Sequence, residues 1–98
     1  MAQYEFIATY IMANRRNGTL YTGATSDLPS RIDQHKSGEG SVFTRKYKCF
    51  RLVWFDRFED IGIARQRERR IKEWHRAWKI TLIEEANPTW DDLSFRLL

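Results

Sequence analysis

Asn17-Gly18 sits between two runs of β-forming residues, and no other dipeptide in the 98-residue chain constrains its fold as strongly. The pair tolerates the backbone angles of a tight reversal, which marks a hairpin joining residues 4–12 to residues 19–24. Side chains of a strand alternate between its faces, so the hairpin's register decides which residues meet. A loop with an even number of residues makes cross-strand partners sum to an odd number, which puts Tyr10, Tyr21 and Gly23 on one face. An odd loop separates them.

Beyond the hairpin, Asp27 is placed to cap a helix running to about Lys36, with Pro29 in the first turn and Gly38 as the stop. Leu28, Arg31, Ile32 and His35 share one side of it. Residues 38–48 read as a basic, glycine-containing loop. A third strand follows from Phe50 to Phe58, and Leu52-Val53-Trp54-Phe55 requires cover on both faces. Asp60 opens the longest helix, expected to reach about Lys79, with Ile61, Ala64, Ile71, Trp74 and Trp78 along its apolar stripe. A further helix, Ile80 to Ala86, must stop before Asn87-Pro88, because proline disfavours helical geometry in the residue before it. Trp90 to Leu98 forms a short packed tail, and all four tryptophans, Trp54, Trp74, Trp78 and Trp90, are expected in the core. A chain this short has material for one core, so residues 1–98 make a single α+β domain.

Seventeen Lys and Arg against thirteen Asp and Glu leave a net charge of +4, and the excess is clustered. Arg65, Arg67, Arg69, Arg70, Lys72, Arg76 and Lys79 form one group, and Arg45, Lys46, Lys48 and Arg51 another. Two such patches suit a polyanion such as nucleic acid, although a solvated face has the same composition. Cys49 has no partner for an internal disulfide and reads as a small hydrophobe at a strand edge. With neither a secretory leader nor an apolar run of membrane-spanning length, the expectation is a cytoplasmic protein with no membrane partner. No protein partner is identifiable from the sequence.

Glu68 is the most informative single residue, because it lies between Ala64 and Ile71 on the inward stripe. A carboxylate there costs several kcal/mol if buried alone. Either an ion pair with Arg31 or a helix arginine, or a bound metal ion, would satisfy it. Arg31 and His35, four residues apart, lie side by side on the first helix, as a phosphate clamp and a proton carrier would. By themselves both are ordinary surface residues, and Tyr10 and Tyr21 ordinary sheet aromatics.

Taken in order, these residues resemble the GIY-YIG nuclease pattern. Ala8-Thr9-Tyr10 is followed, after ten intervening residues, by Tyr21-Thr22-Gly23, then by Arg31 eight positions after Gly23, then by Glu68 on a later helix. The resemblance extends from Tyr4 to Leu93 and is nearest to the short, single-domain bacterial members, through Phe43-Thr44-Arg45-Lys46-Tyr47, the run from Arg67 to Trp74, and Asn87-Pro88-Thr89-Trp90. The chain departs from the pattern at Ala8-Thr9 in the first motif, at Thr22 in the second, and at Ala24, where some repair members carry a lysine.

The resemblance implies a small three-stranded antiparallel sheet flanked by helices, and an endonuclease that hydrolyses phosphodiester bonds, with DNA the expected polymer. Tyr21 would activate water as general base or orient it, supported by Tyr10. Arg31 would steady the scissile phosphate, His35 would relay a proton, and Glu68 would be the sole protein carboxylate on Mg²⁺ or Mn²⁺. Gly23, Thr44, Arg45, Lys46, Tyr47 and Asn87 would contact the nucleic acid, Gly23 by letting the backbone come close. Sequence preference is expected to be weak, a branched or damaged structure a possible target, and DNA repair or processing the setting. A free tyrosine ionises near pH 10, so a tyrosine base implies an alkaline optimum. Two other readings stay open: a catalytically weak nucleic-acid-binding module, and an interaction domain in which Glu68 only pairs with Arg31.

Overall fold

The computed structural model describes residues 5–97; Tyr4 and Leu98, the expected ends of the first strand and of the tail, lie outside them. The hairpin forms as its turn chemistry dictates. Strands β1 (Ile7–Ala13) and β2 (Leu20–Thr25) flank a connection of residues 14–19. That loop is even, and the register pairs Tyr10 with Gly23 and Met12 with Tyr21, so both tyrosines share a face. Asn17 takes the left-handed backbone at φ 56°. Gly18 is needed for room instead: a Cβ there would stand 1.9 Å from Asn14 Oδ1, which accepts the Thr19 amide at 2.9 Å.

β3 (Arg51–Phe58) pairs antiparallel with β1, so the sheet order is β2-β1-β3. β1 is the central strand and is buried along its whole length. β3, expected to be covered on both sides, is buried only at Leu52, Val53 and Trp54. Ile11 pairs with Trp54 but Met12 with Leu52, leaving Val53 as the extra residue of a bulge. The bulge sends both Val53 and Trp54 into the same core.

Two cores result, one on each face. Tyr10, Met12 and Leu52 pack with Leu28 and Ile32 of helix α1 (Leu28–Lys36) and Leu93 of a terminal 3₁₀ turn. Asp27 caps α1 by accepting the Ser30 amide, and Gly38 at φ 84° ends it. On the opposite face Ile11, Val53 and Trp54 pack with Ile71 of α3 (Ile61–Glu73), Ile83 of α4 (Arg76–Ala86) and Trp90.

Three expectations are corrected. Residues 38–48 are not a loop throughout: Val42–Tyr47 form α2, whose first turn is capped by Ser41 accepting the Thr44 amide at 3.0 Å. Six residues are too few to display a helical period. The long helix breaks at Trp74-His75, where both residues take an extended ψ near 150°, instead of at Lys79. Neither residue is a sequence breaker. The break lets the Arg76 guanidinium donate from Nη2 to the carbonyls of Asn17 and Gly18, both at 2.6 Å, and so cap the hairpin tip. Because the period restarts after the break, Trp78 leaves the core and is 59% exposed.

Candidate active site

The Tyr10 face differs from an ordinary apolar core in carrying a buried run of polar side chains. α1 has the three-and-four spacing that turns Leu28, Ile32 and His35 inward together, and His35 is fully buried. Its Nε2 lies 2.7 Å from the Tyr10 hydroxyl and its Nδ1 3.0 Å from Thr44 Oγ1. Thr44 is held in turn by Ser41, whose Oγ is 2.9 Å from Thr44 Oγ1. The resulting chain of hydrogen bonds, Tyr10 to His35 to Thr44 to Ser41, is satisfied in either direction. If Tyr10 donates to Nε2, then Nδ1–H donates to Thr44, which donates to the Ser41 carbonyl. If Thr44 donates to Nδ1, then Nε2–H donates to Tyr10, and the phenol hydrogen is released for another acceptor.

Tyr21 is that neighbour. The rings of Tyr10, Tyr21 and His35 are mutually close, with centroids 6.3, 5.4 and 5.6 Å apart. Gly23 makes the cluster possible, because a Cβ there would meet the Tyr10 ring at 2.6 Å. The close approach expected of Gly23 is therefore made to Tyr10. Gly40 has the same relation to His35, whose Nδ1 would lie 2.1 Å from an added Cβ.

Electrostatics separate the roles of these groups. Burial, more than anything else, raises the Tyr10 phenol far above its ordinary range; Tyr21 and Glu68 raise it further, and the Arg31 guanidinium opposes them. Tyr10 therefore stays protonated. Burial first, and the positive charge of Arg31 second, push His35 down to about 4, so it is a neutral imidazole at physiological pH. Arg31 is half-buried, one helical turn from His35, and its field reaches both groups.

Glu68 comes to the same neighbourhood from the other face. α3 packs across β1 and β2, where Thr9 Oγ1 donates to the Ala64 carbonyl at 2.6 Å. One turn further along, the Glu68 side chain is 19% exposed, and its Oε2 is 2.7 Å from Lys72 Nζ. The ion pair considered with Arg31 is thus made with Lys72, four residues along the same helix. Among the described residues no three His, Cys, Asp or Glu side chains gather as a metal-holding group. A single half-open carboxylate suits Mg²⁺ or Mn²⁺, which retain waters and take their other ligands from substrate phosphates; it does not suit a structural zinc.

The residues expected to contact nucleic acid divide into two groups. Arg45, Lys46 and Tyr47 are exposed on α2, beside Phe43. Phe43 lies 5.9 Å from the Tyr21 ring and 4.7 Å from that of Tyr47, so an aromatic ladder climbs from the buried cluster to the surface. Thr44 and Asn87 do not join this surface. Thr44 is 1% exposed and is committed to His35 and Ser41. Asn87 is 4% exposed, and its amide bonds the bulge carbonyl of Val53 and the backbone of Asp91. Ser41 is the residue the sequence left unmarked, although as an N-cap three residues before Thr44 it had a local signal; Phe43 and Lys72 stood in the quoted runs without an individual role.

Comparison with known proteins agrees with this arrangement. Residues 6–81 match the family described as the GIY-YIG catalytic domain. A UPF0213 protein of Natronomonas pharaonis is 40% identical over 67 residues, covering 68% of this chain and 79% of its own. One from Staphylococcus saprophyticus is 36% identical over 71 residues, 72% of this chain and 87% of its own. The solution NMR structure of a UPF0213 protein from Bacillus halodurans superposes with a TM-score of 0.55 at 31% identity, covering 89% of this chain and 92% of that one. With its three-stranded antiparallel sheet and with the cluster of Tyr10, Tyr21, Arg31, His35 and Glu68 spread along the matched segment, this chain belongs to the GIY-YIG family, a superfamily of nucleases.

Proposed function

We propose that the protein is a metal-dependent endonuclease that hydrolyses phosphodiester bonds, with DNA as substrate, in the cytoplasm. The observation that carries this reading is the junction of a buried hydrogen-bond chain with an open edge. Tyr10 and His35 are bonded at 2.7 Å inside, and Tyr21 stands against both rings at the margin. Tyr21, the more exposed of the two tyrosines, takes the proton of the attacking water. Tyr10 remains protonated and donates a hydrogen bond that supports negative charge on the Tyr21 oxygen. His35, neutral, passes hydrogen-bond polarity along the chain from Thr44 without itself becoming charged. Arg31 binds the scissile phosphate by paired hydrogen bonds. Glu68, whose Oε2 alone pairs with Lys72, would hold Mg²⁺ or Mn²⁺, and the ion would supply charge neutralisation at the phosphate and leaving oxygen. Arg45, Lys46, Tyr47 and Phe43 hold the strand on the α2 side through charge and stacking. Such contacts read backbone and shape, which favours weak sequence preference and a role in repair or processing of irregular DNA.

Incubating labelled single-stranded, duplex and branched DNA with Mg²⁺, Mn²⁺ or EDTA tests the proposal. Cutting that requires the cation supports it; salt-sensitive binding with no cutting in any cation assigns the chain to the binding modules instead.

A further inference from the structure

Away from the tyrosine cluster, at the hairpin tip, an open cleft of about 420 Å³ is lined by Arg15, Asn17, Gly18, Thr19, Leu20, Arg76 and Lys79. Three of these seven residues are cationic and none is acidic. No ion pair among the described residues involves Arg15, Arg76 or Lys79. Like charges gathered around one cavity repel one another unless an anion enters it. The guanidinium of Arg76 is fixed there, since its Nη2 donates to the carbonyls of Asn17 and Gly18, and these two bonds leave its other nitrogens uncommitted. Leu20 lines the cleft and Tyr21 is the next residue of β2, with its side chain on the other face of the edge strand. A strand leaving the tyrosine cluster around that edge therefore passes the cleft within a few residues' length.

We infer that this cleft is a second phosphate-binding site, taking a backbone phosphate of the nucleic acid beyond the bond attacked at Tyr21. The inference rests on the nuclease reading for the identity of the polymer. Arg76 fixes the rim, while Arg15 and Lys79 supply further positive charge to the cleft.

The test measures binding of a fluorescein-labelled oligonucleotide, single-stranded and duplex, to the full chain in EDTA over a range of salt concentrations. Arg15→Gln and Lys79→Gln are compared with Arg96→Gln, an equal loss of charge on the terminal turn, and Arg76 is left intact because it holds the tip. The slope of log affinity against log salt is expected to fall by about 0.7 to 0.9 for each cleft variant, with melting temperatures unchanged. A change no larger than that of Arg96→Gln overturns the inference. Wild-type cleavage, assayed in parallel, separates the two ideas. Cutting with no slope change removes the cleft and keeps the nuclease; a cleft-dependent slope without cutting keeps the cleft and removes the nuclease.

Discussion

The buried polar side chains on the two faces of the sheet bond different things. On the Ile11 face Thr9 donates to the Ala64 carbonyl and Asn87 to those of Val53 and Asp91, so each ties its side chain to the backbone of another segment. On the Tyr10 face Tyr10, His35, Thr44 and Ser41 bond one another. The first kind of bond joins side chain to main chain and so holds one segment of the fold against another. A side-chain network of the second kind can be replaced by apolar groups of similar shape at little cost, so stability alone does not account for it. The difference separates architecture from chemistry, and four substitutions or conditions sharpen it.

The largest effect is expected at Glu68. Glu68→Ala lowers cation-dependent cleavage by at least about a hundredfold, the scale of losing a catalytic group or electrostatic stabiliser. It removes only a partly exposed pair with Lys72, a contact of the kind contributing about 0.3–0.5 kcal/mol, so thermal melting barely moves. A large drop in melting temperature would instead make Glu68 a structural residue and favour the interaction-domain reading.

Next in size is an acid response on the Tyr10 face. His35 is folded as a neutral imidazole with its proton affinity reduced to about 4, whereas an unfolded histidine titrates near 6.5. Unfolding therefore takes up a proton below pH 6.5. The stability due to this residue is full above that pH and declines as pH falls toward 4, by about 3 kcal/mol in all. Urea titrations at pH 7 and pH 4.5 should show the decline in the wild type and a clearly smaller one in His35→Gln.

Asn87→Ala, on the architectural face, should cost about 1–3 kcal/mol by stranding the bulge carbonyl of Val53. Per folded molecule it should leave cleavage and the salt dependence of binding unchanged, since its side chain is spent on backbone. Thr44→Val should cost less stability than Asn87→Ala, about 1 kcal/mol, because shape is kept and one hydrogen-bonding group is lost. Here the pH–rate profile should shift while Thr44→Ser restores it, a pattern that packing alone does not produce.

The same contrast explains what the sequence made legible. The caps Asp27 and Gly38 bounded α1 because caps are local chemistry, whereas the shared face of Tyr10 and Tyr21 hung on the parity of the turn, which the sequence left open and six residues decide. The bond between Tyr10 and His35 spans 25 residues and follows only once α1 is laid on the sheet. The family pattern pointed to the five residues of the cluster but drew Thr44 and Asn87 toward the nucleic acid, when burial commits one to His35 and the other to the bulge. The break at Trp74-His75 has no glycine or proline to announce it; it comes together with the long-range bonds of Arg76 to the hairpin tip, and beyond it Trp78 is exposed.

In the proposed reaction Tyr21, backed by the bonded Tyr10–His35 pair, activates water. A single-turnover pH–rate profile at saturating Mg²⁺ or Mn²⁺, comparing the wild type with Tyr21→Phe, addresses it most directly. A wild-type rate that climbs into the alkaline range is expected, with a loss of about 10²- to 10⁴-fold in Tyr21→Phe and folding intact. A wild-type rate that peaks below pH 6, or a Tyr21→Phe variant that cuts as fast as the wild type, would contradict it.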